Sequence, residues 1–344
     1  MHMADALISP AVGLTMLATS AGAITYCSKQ LKDKIDDRKI PLMGVLGAFI
    51  FAAQMINFSI PGTGSSGHLG GGLILAALLG PHAAFLVMAS ILTVQALLFA
   101  DGGLLALGCN IFNLGIFPCF IAYPFIYQVI VGSNPTPGRI STAAMVAAVA
   151  GLQMGSFSVV LETVFSGISE LPFSTFVLAM QPIHLGIGIV EGLVTAAVIN
   201  FVRQADPEIL AQMTAAQPDT GRYRKVLIGL LAVALVTGGM ISWFASSHPD
   251  GLEWSMAKVS GKEELESPGH GIHAYLGNIQ KKLAFLPDYS FKKSKEEEKE
   301  ASSIDPGTSV SGLLGGLVTL ATIALFGFLL KKRSSRSNIG KKTI

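Results

Sequence analysis

The side chains in this 344-residue sequence with most to offer a ligand near neutral pH are its seven histidines. His68 closes the run Pro61-Gly-Thr-Gly-Ser-Ser-Gly-His68, and 62–72 holds six Gly in eleven residues. Such a loop bends sharply and lets backbone approach a ligand closely. It is not a phosphate loop, because Gly67 is followed by His68 rather than by Lys and Ser or Thr. His2 stands next to an α-amine. The amine of Met1, the amide nitrogen of His2 and the His2 imidazole can close fused chelate rings around one metal ion, and His68 can add a fourth nitrogen. A tetragonal all-nitrogen environment suits Ni(II) or Cu(II), with Co(II) their neighbour in the affinity series. Mg(II) and Ca(II) want oxygen and find little here.

The other histidines carry weaker signals. His82 follows Gly80-Pro81 and reads as structural. His184 follows Pro182 in an apolar run; an intramembrane ionisable residue is a functional candidate, and a single hydrogen-bonded core histidine explains it equally well. His248, His270 and His273 lie in a polar stretch, where the His270-x-x-His273 pair is more simply incidental. Cys27, Cys109 and Cys119 sit in apolar stretches without Cys-x-x-Cys spacing and read as small hydrophobes. An enzyme reading exists: Gly64-Ser65-Ser66-Gly67 fits the Gly-x-Ser-Gly pattern of rhomboid-type intramembrane proteases, with Ser66 as nucleophile and His184 as base. It leaves His68 without a role. A metal sensor that binds without transporting is a third class.

The elements that must position these residues are membrane helices. The chain is 51% hydrophobic and 13% charged, with mean hydropathy +0.56. A soluble domain carries roughly 25% charge, so the sequence describes an all-α, polytopic integral membrane protein. Its net charge of +2 gives no basis for nucleic-acid binding. Spans of about 20 apolar residues are expected at 11–28, 41–58, 82–100, 104–131, 141–165, 175–201, 226–245 and 312–330, with a short helix over 69–79. With the N-terminus outside, loops 29–39, 132–140 and 203–225 fall inside and hold all ten Lys and Arg of the first 225 residues. Segments 1–10, 59–68, 101–103 and 166–174 hold none, as the positive-inside rule requires. Nine helices, with the C-terminus cytoplasmic in the cell (inner) membrane, follow. No basic region precedes the first apolar core, since the first Lys is Lys29, so no cleavable signal peptide is expected. The chain divides into a transmembrane domain at 1–203, a cytoplasmic linker at 204–225, two helices flanking an external segment at 226–331 and a basic tail at 332–344. The run Lys292–Glu300 reads as solvated helix or disorder. The external segment nearly balances its charges and lacks a closed ligand set, so the capture site is not expected there.

These residues resemble the CbiM/NikM family, the substrate-capture (S) components of energy-coupling-factor (ECF) transporters for cobalt and nickel. Met1-His2, Ser9-Pro10, Pro-Gly-Thr-x-Ser-x-Gly-His68-Leu, Asp101-Gly-Gly-Leu with Leu107-Gly-Cys-Asn110 and Asn113, and Pro182-x-His184 with Glu191-Gly-Leu carry the likeness through about residue 203. Residues 3–6 depart from the family's commoner opening, Met-His-Ile-Pro-x-Gly. Pro249-Asp-Gly-Leu-Glu-Trp254, Pro287-Asp-Tyr and a Gly-rich last helix resemble the PDGLE domain of NikN/CbiN-type accessory subunits. The resemblance implies a seven-helix S-component bundle fused to two further transmembrane helices. It implies import of Co(II) or Ni(II), held by Met1, His2 and His68, with no prosthetic group. Ser66, Asp101, Asn110, Asn113 and His184 would support the site or fix its loops. It also implies partners: a transmembrane coupling subunit of CbiQ/NikQ type and cytoplasmic ATPases of CbiO/NikO type, since the chain itself has no Walker motif.

Overall fold

The computed structural model describes residues 2–32, 35, 38–206, 209, 220–291 and 306–341, with side chains left out at 220 and 333–341. Met1, the run Lys292–Glu300 and most of the linker expected at 204–225 lie outside the described residues. Seven helical rods fill the first part: α1 (Pro10–Lys32), α2 (Lys39–Gln54), α3 (Gly72–Leu79), α4 (Pro81–Phe99), α5 (Leu107–Val131), α6 (Pro137–Ser166) and α7 (Phe173–Ala205). The second part holds α8 (Thr220–Gly239), the short helices α9 (Gly251–Ser260) and α10 (Gly271–Leu283), and α11 (Pro306–Lys341).

Among the described residues six helices are long and apolar enough to cross a membrane: α1, α4, α5, α6, α7 and α11. The apolar α2 has 16 residues and α3 has eight. Both are buried along nearly their whole length, so they are inner rods screened from lipid by their neighbours. Lipid-facing positions are apolar too: Phe125, Phe165, Leu178 and Phe244 are exposed on the outer surface, as a surface that meets hydrocarbon requires. Much of α5 is wound as a π-helix over Phe112–Tyr127, a stretch holding Pro118 and Pro124, which cannot donate to the regular ladder.

Small residues set the helix spacing, because association in lipid rests on close packing rather than on the hydrophobic effect. The facing surfaces of α6 and α7 meet where a Cβ on Gly188 would touch Val149 and one on Gly192 would touch Met145. The crossing of α8 and α11 is tighter: a Cβ on Gly312 would lie 2.2 Å from the Gly238 carbonyl oxygen. Both α8 and α11 pack on α2, so the second part is seated against the centre of the first.

All the predicted external loops converge at one end of the bundle. A two-stranded hairpin, β1 (Phe58–Ile60) and β2 (Ser65–Gly67), forms there. Backbone bonds join it to the second part: Ser66 N–H donates to the Pro249 carbonyl at 2.8 Å and Ser246 N–H to Asn57 at 2.7 Å. The N-terminal segment threads into the same end. Asp5 Oδ1 accepts from the N–H groups of Leu105 and Ala106 at 2.8 and 3.0 Å, so a carboxylate the sequence did not single out ties down the loop ahead of α5.

Candidate metal centre

His68 leaves β2 into a glycine loop that α7 grips from below. Glu191 accepts hydrogen bonds from the N–H groups of Gly70 and Gly71 at 2.6 and 3.0 Å, and Gln54 donates to the Gly70 carbonyl at 2.9 Å while accepting from Gln95. The His68 ring is buried, and its Nδ1 lies 3.0 Å from the Leu69 carbonyl. A carbonyl only accepts, so Nδ1 carries the proton and the lone pair of the neutral ring is on Nε2. Burial pushes this imidazole down to about 3, which keeps it neutral. A histidine anchored through one nitrogen by a backbone carbonyl is oriented as metal-binding imidazoles are.

His2 lies against it. The two rings stack with centroids 4.9 Å apart and planes 9° from parallel. Asn110 brackets the next residue, accepting from Met3 N–H at 2.8 Å and donating to its carbonyl at 3.2 Å. Asp101 Oδ1 sits 2.9 Å from His2 Nδ1, and Asp101 Oδ2 accepts from the Tyr289 hydroxyl at 2.5 Å. Burial opposes ionisation of Asp101, but the His2 contact outweighs it and draws the carboxyl down to about 2. Gly102 follows at φ +80°, and a Cβ there would also strike the Asn110 amide, so glycine is what lets Asp101 turn toward His2. His2 Nε2 is buried and has no hydrogen-bond partner among the described residues, a cost of about 1–3 kcal/mol for a polar atom.

His2, His68 and Asp101 thus lie together, with Asn110 one residue away on Met3. Asn113 donates to Glu162 at 2.7 Å in the bundle core and touches the Met3 thioether sulfur. Parallel stacked rings point their lone pairs side by side rather than at one point, and no group of three or more His, Cys, Asp or Glu side chains is arranged to hold a metal among the described residues. Met1, the other expected ligand, lies outside the described residues. Ser66 and His184 do not form a dyad: the Ser66 hydroxyl donates to the His248 carbonyl at 2.8 Å, and His184 Nδ1 is engaged by the Met180 carbonyl at 2.8 Å. His82 packs between Tyr26 and Phe120, and His273 bonds the Ile8 carbonyl at 2.9 Å; both are structural.

The segment between α8 and α11, where the capture site was not expected, brings two side chains up to these residues. Tyr289, stacked on Phe99 at 4.9 Å, holds Asp101. Asp250 lines one cavity with His68 and His184. It also caps α9, accepting from Leu252 and Glu253 N–H at 2.8 and 2.9 Å, while Glu253 accepts from Asp250 N–H in return. Such a capping box is worth about 1 kcal/mol. The carboxyl of Glu191 and the phenol of Tyr289 were also unmarked as site groups. An acid inside an apolar span was the available signal for Glu191, and the Pro287-Asp-Tyr run was the one for Tyr289.

The fold and the site define a class: a helical integral membrane protein that gathers imidazoles in a buried pocket at one end of its bundle. The chain belongs to the CbiM family, described as the cobalt uptake substrate-specific transmembrane region, whose model matches residues 2–209; residues 224–332 match the PDGLE domain. It is a cobalt/nickel transport membrane protein of the CbiM/NikMN type. A NikMN-type nickel transport relative from Archaeoglobus fulgidus is 30% identical, with 96% of this chain and 98% of that protein aligned. The fused nickel transport protein NikMN of Rhodobacter capsulatus is 28% identical over 94% of this chain and 96% of its own length. A crystal structure of a truncated transition metal transporter superposes with a TM-score of 0.53 at 28% identity, covering 59% of this chain and 99% of that one.

Proposed function

We propose that this chain is the substrate-capture subunit of an ECF-type importer of Ni(II) or Co(II). The observation that carries the reading is the pair of imidazoles, His2 and His68, stacked 4.9 Å apart at the loop end of the bundle. The cation is held by the Met1 amine, the amide nitrogen and imidazole of His2, and the His68 imidazole. Fused chelation through a backbone amide needs His2 Nδ1, the atom Asp101 contacts at 2.9 Å. Capture therefore exchanges Asp101 for the cation at Nδ1 and turns the His2 ring out of its stack, so that both rings address one ion. The Met1 amine and the His2 amide shed protons as the metal enters, whereas the His68 ring is already neutral. Asn110 keeps Met3, and with it the chelating segment, in place.

Residues 1–203 form the capture domain, 204–225 a cytoplasmic linker, 226–331 the PDGLE domain and 332–344 a basic tail, with the N-terminus outside the cell membrane and the C-terminus in the cytoplasm. A coupling subunit of CbiQ/NikQ type and ATPases of CbiO/NikO type supply the energy. The ten basic residues on one set of loops and the convergence of the uncharged loops at the histidine end support this orientation. Calorimetry of the purified chain with Ni(II) and Co(II), paired with uptake in cells supplying the coupling module, tests the reading. Stoichiometric binding that disappears in both His2→Ala and His68→Ala is expected. Uptake that survives both substitutions contradicts it.

A further inference from the structure

His184 is the one imidazole at this end of the molecule whose environment the capture reading leaves unexplained. It lies on α7 eleven residues past Phe173, about 16 Å along the helix axis, and is fully buried. Its Nδ1 is committed to the Met180 carbonyl at 2.8 Å, so in the neutral ring Nε2 carries a lone pair. Nε2 has no partner among the described residues. An orphaned acceptor in a membrane bundle is costly and calls for a proton donor or a cation.

The space around it is built. His184 and His68 line one small cavity, closed by Gly67, Gly70, Asp250 and Gly251. Two of those walls are open only because they lack side chains. A Cβ on Gly251 would lie 3.1 Å from His184 Cε1 and 2.8 Å from Ile183, and one on Gly67 would lie 2.4 Å from Ile187. His68 thus faces a cavity whose inner wall carries a second imidazole, with a carboxylate beside it. The same face of α7 continues inward through Glu191 and Thr195, whose buried hydroxyl also lacks a partner among the described residues. Nitrogen, nitrogen and carboxylate oxygen form a donor set for Co(II) or Ni(II), less so for Mg(II).

We propose that His184 is an inner ligand for the transported cation: the ion held at His68 passes to His184 Nε2 as it leaves the outer chelate, with Asp250 offsetting its charge. This rests on the reading of His68 as a capture ligand. His68 is shared between the two positions, so the ion is never without an imidazole during the transfer. The three groups are not converged among the described residues, and the transfer draws them together.

The test uses the full chain with its native terminus, both purified and in cells with the coupling module. His184→Ala and His184→Gln are expected to keep stoichiometric Ni(II) binding but to lower uptake about tenfold, as loss of a supporting ligand does. His184→Cys should develop a thiolate-to-Co(II) charge-transfer band on Co(II) addition that His184→Ala lacks. Parental uptake in the Ala and Gln variants overturns the proposal. So does the absence of a band in a Cys variant that binds Co(II), which leaves water as the partner of Nε2. Loss of binding in a monodisperse His184→Gln protein overturns it as well, since His184 would then belong to the capture set. His68→Ala in the same binding assay separates the two readings: normal binding there refutes capture at His68, whatever His184 does.

Discussion

The two parts of the chain meet at one pocket and bring different chemistry to it. The first supplies nitrogen: His2, His68 and His184 all come from the seven-helix part. The second supplies oxygen and main-chain contacts: Tyr289 on Asp101, Asp250 beside His68 and His184, the Trp254 indole on the Thr63 carbonyl at 3.0 Å, and Gln280 on the carbonyls of Ala96 and Gly102. Neutral imidazoles suit a divalent transition ion, whereas the Tyr289, Trp254 and Gln280 contacts hold the loops around them. The difference teaches that one segment can bring the imidazoles of a pocket while another frames the loops around them.

That division is open to attack from both sides. The largest effect belongs to the nitrogen side: His68→Ala should weaken Ni(II) binding by at least about 100-fold, beyond the range of oxygen-side changes, as read by calorimetry. Next is Asp101, which links the parts. Asp101→Ala should lower affinity about tenfold, because the carboxylate displaced from His2 Nδ1 stays beside the ion and offsets its charge; a rise in affinity would mean that the carboxylate merely competes with the cation. Smaller again is Tyr289→Phe, expected to cost about threefold, because it loosens Asp101 without removing it. If Tyr289→Phe costs as much as His68→Ala, the oxygen side is part of the ligand set and the comparison fails.

Acidity separates the parts further. His68 stays neutral down to about 3, so protons do not disarm it above that value. The loss of affinity expected between pH 8 and 6 belongs to the α-amine, which ordinarily titrates at about 7.7–8.0. On the oxygen side the dependence reverses. Burial, and then the Asp250 charge, push Glu253 up from 4.5 to about 7. A raised acid favours the folded state at low pH: the contribution is complete below 4.5 and is lost as pH rises through about 7. Docking of α9, followed by amide exchange, should therefore weaken slightly from pH 5 to 8, and Glu253→Gln should flatten the change.

The same contrast governs what could be read from the sequence. Membrane spans announce themselves because hydrocarbon demands long apolar runs; α1, α4, α5, α6 and α7 lie within about four residues of their expected limits, whereas α8 starts and ends six residues earlier than expected and α11 runs beyond its span at both ends. The short α3 followed from loop polarity. His2 and His68 were legible because one is fixed by its position and the other by a glycine-rich neighbourhood. The hairpin was missed because its strands are three residues each, too short for alternation to register. Asp250 and Tyr289 were missed as site groups because their partners are far away in sequence; Tyr289 and Asp101 are 188 residues apart. The pocket-facing role of Glu191 depends on two backbone N–H groups, and no side-chain pattern encodes those.

The central claim is that the cation is held by a chelate that begins at the α-amine of Met1 and is completed by His68. The direct measurement compares Ni(II) binding and uptake by three forms: the native terminus, a terminus extended by one Gly before Met1, and a C-terminally tagged control. The extension converts the Met1 amine to an amide and moves His2 to position three, which lengthens the chelate and misplaces it relative to His68. The account predicts that the tagged control matches the native form in both assays while the Gly-extended form loses high-affinity binding and uptake together. Uptake by the Gly-extended form at the level of the control would contradict it, and His68 would then need other partners.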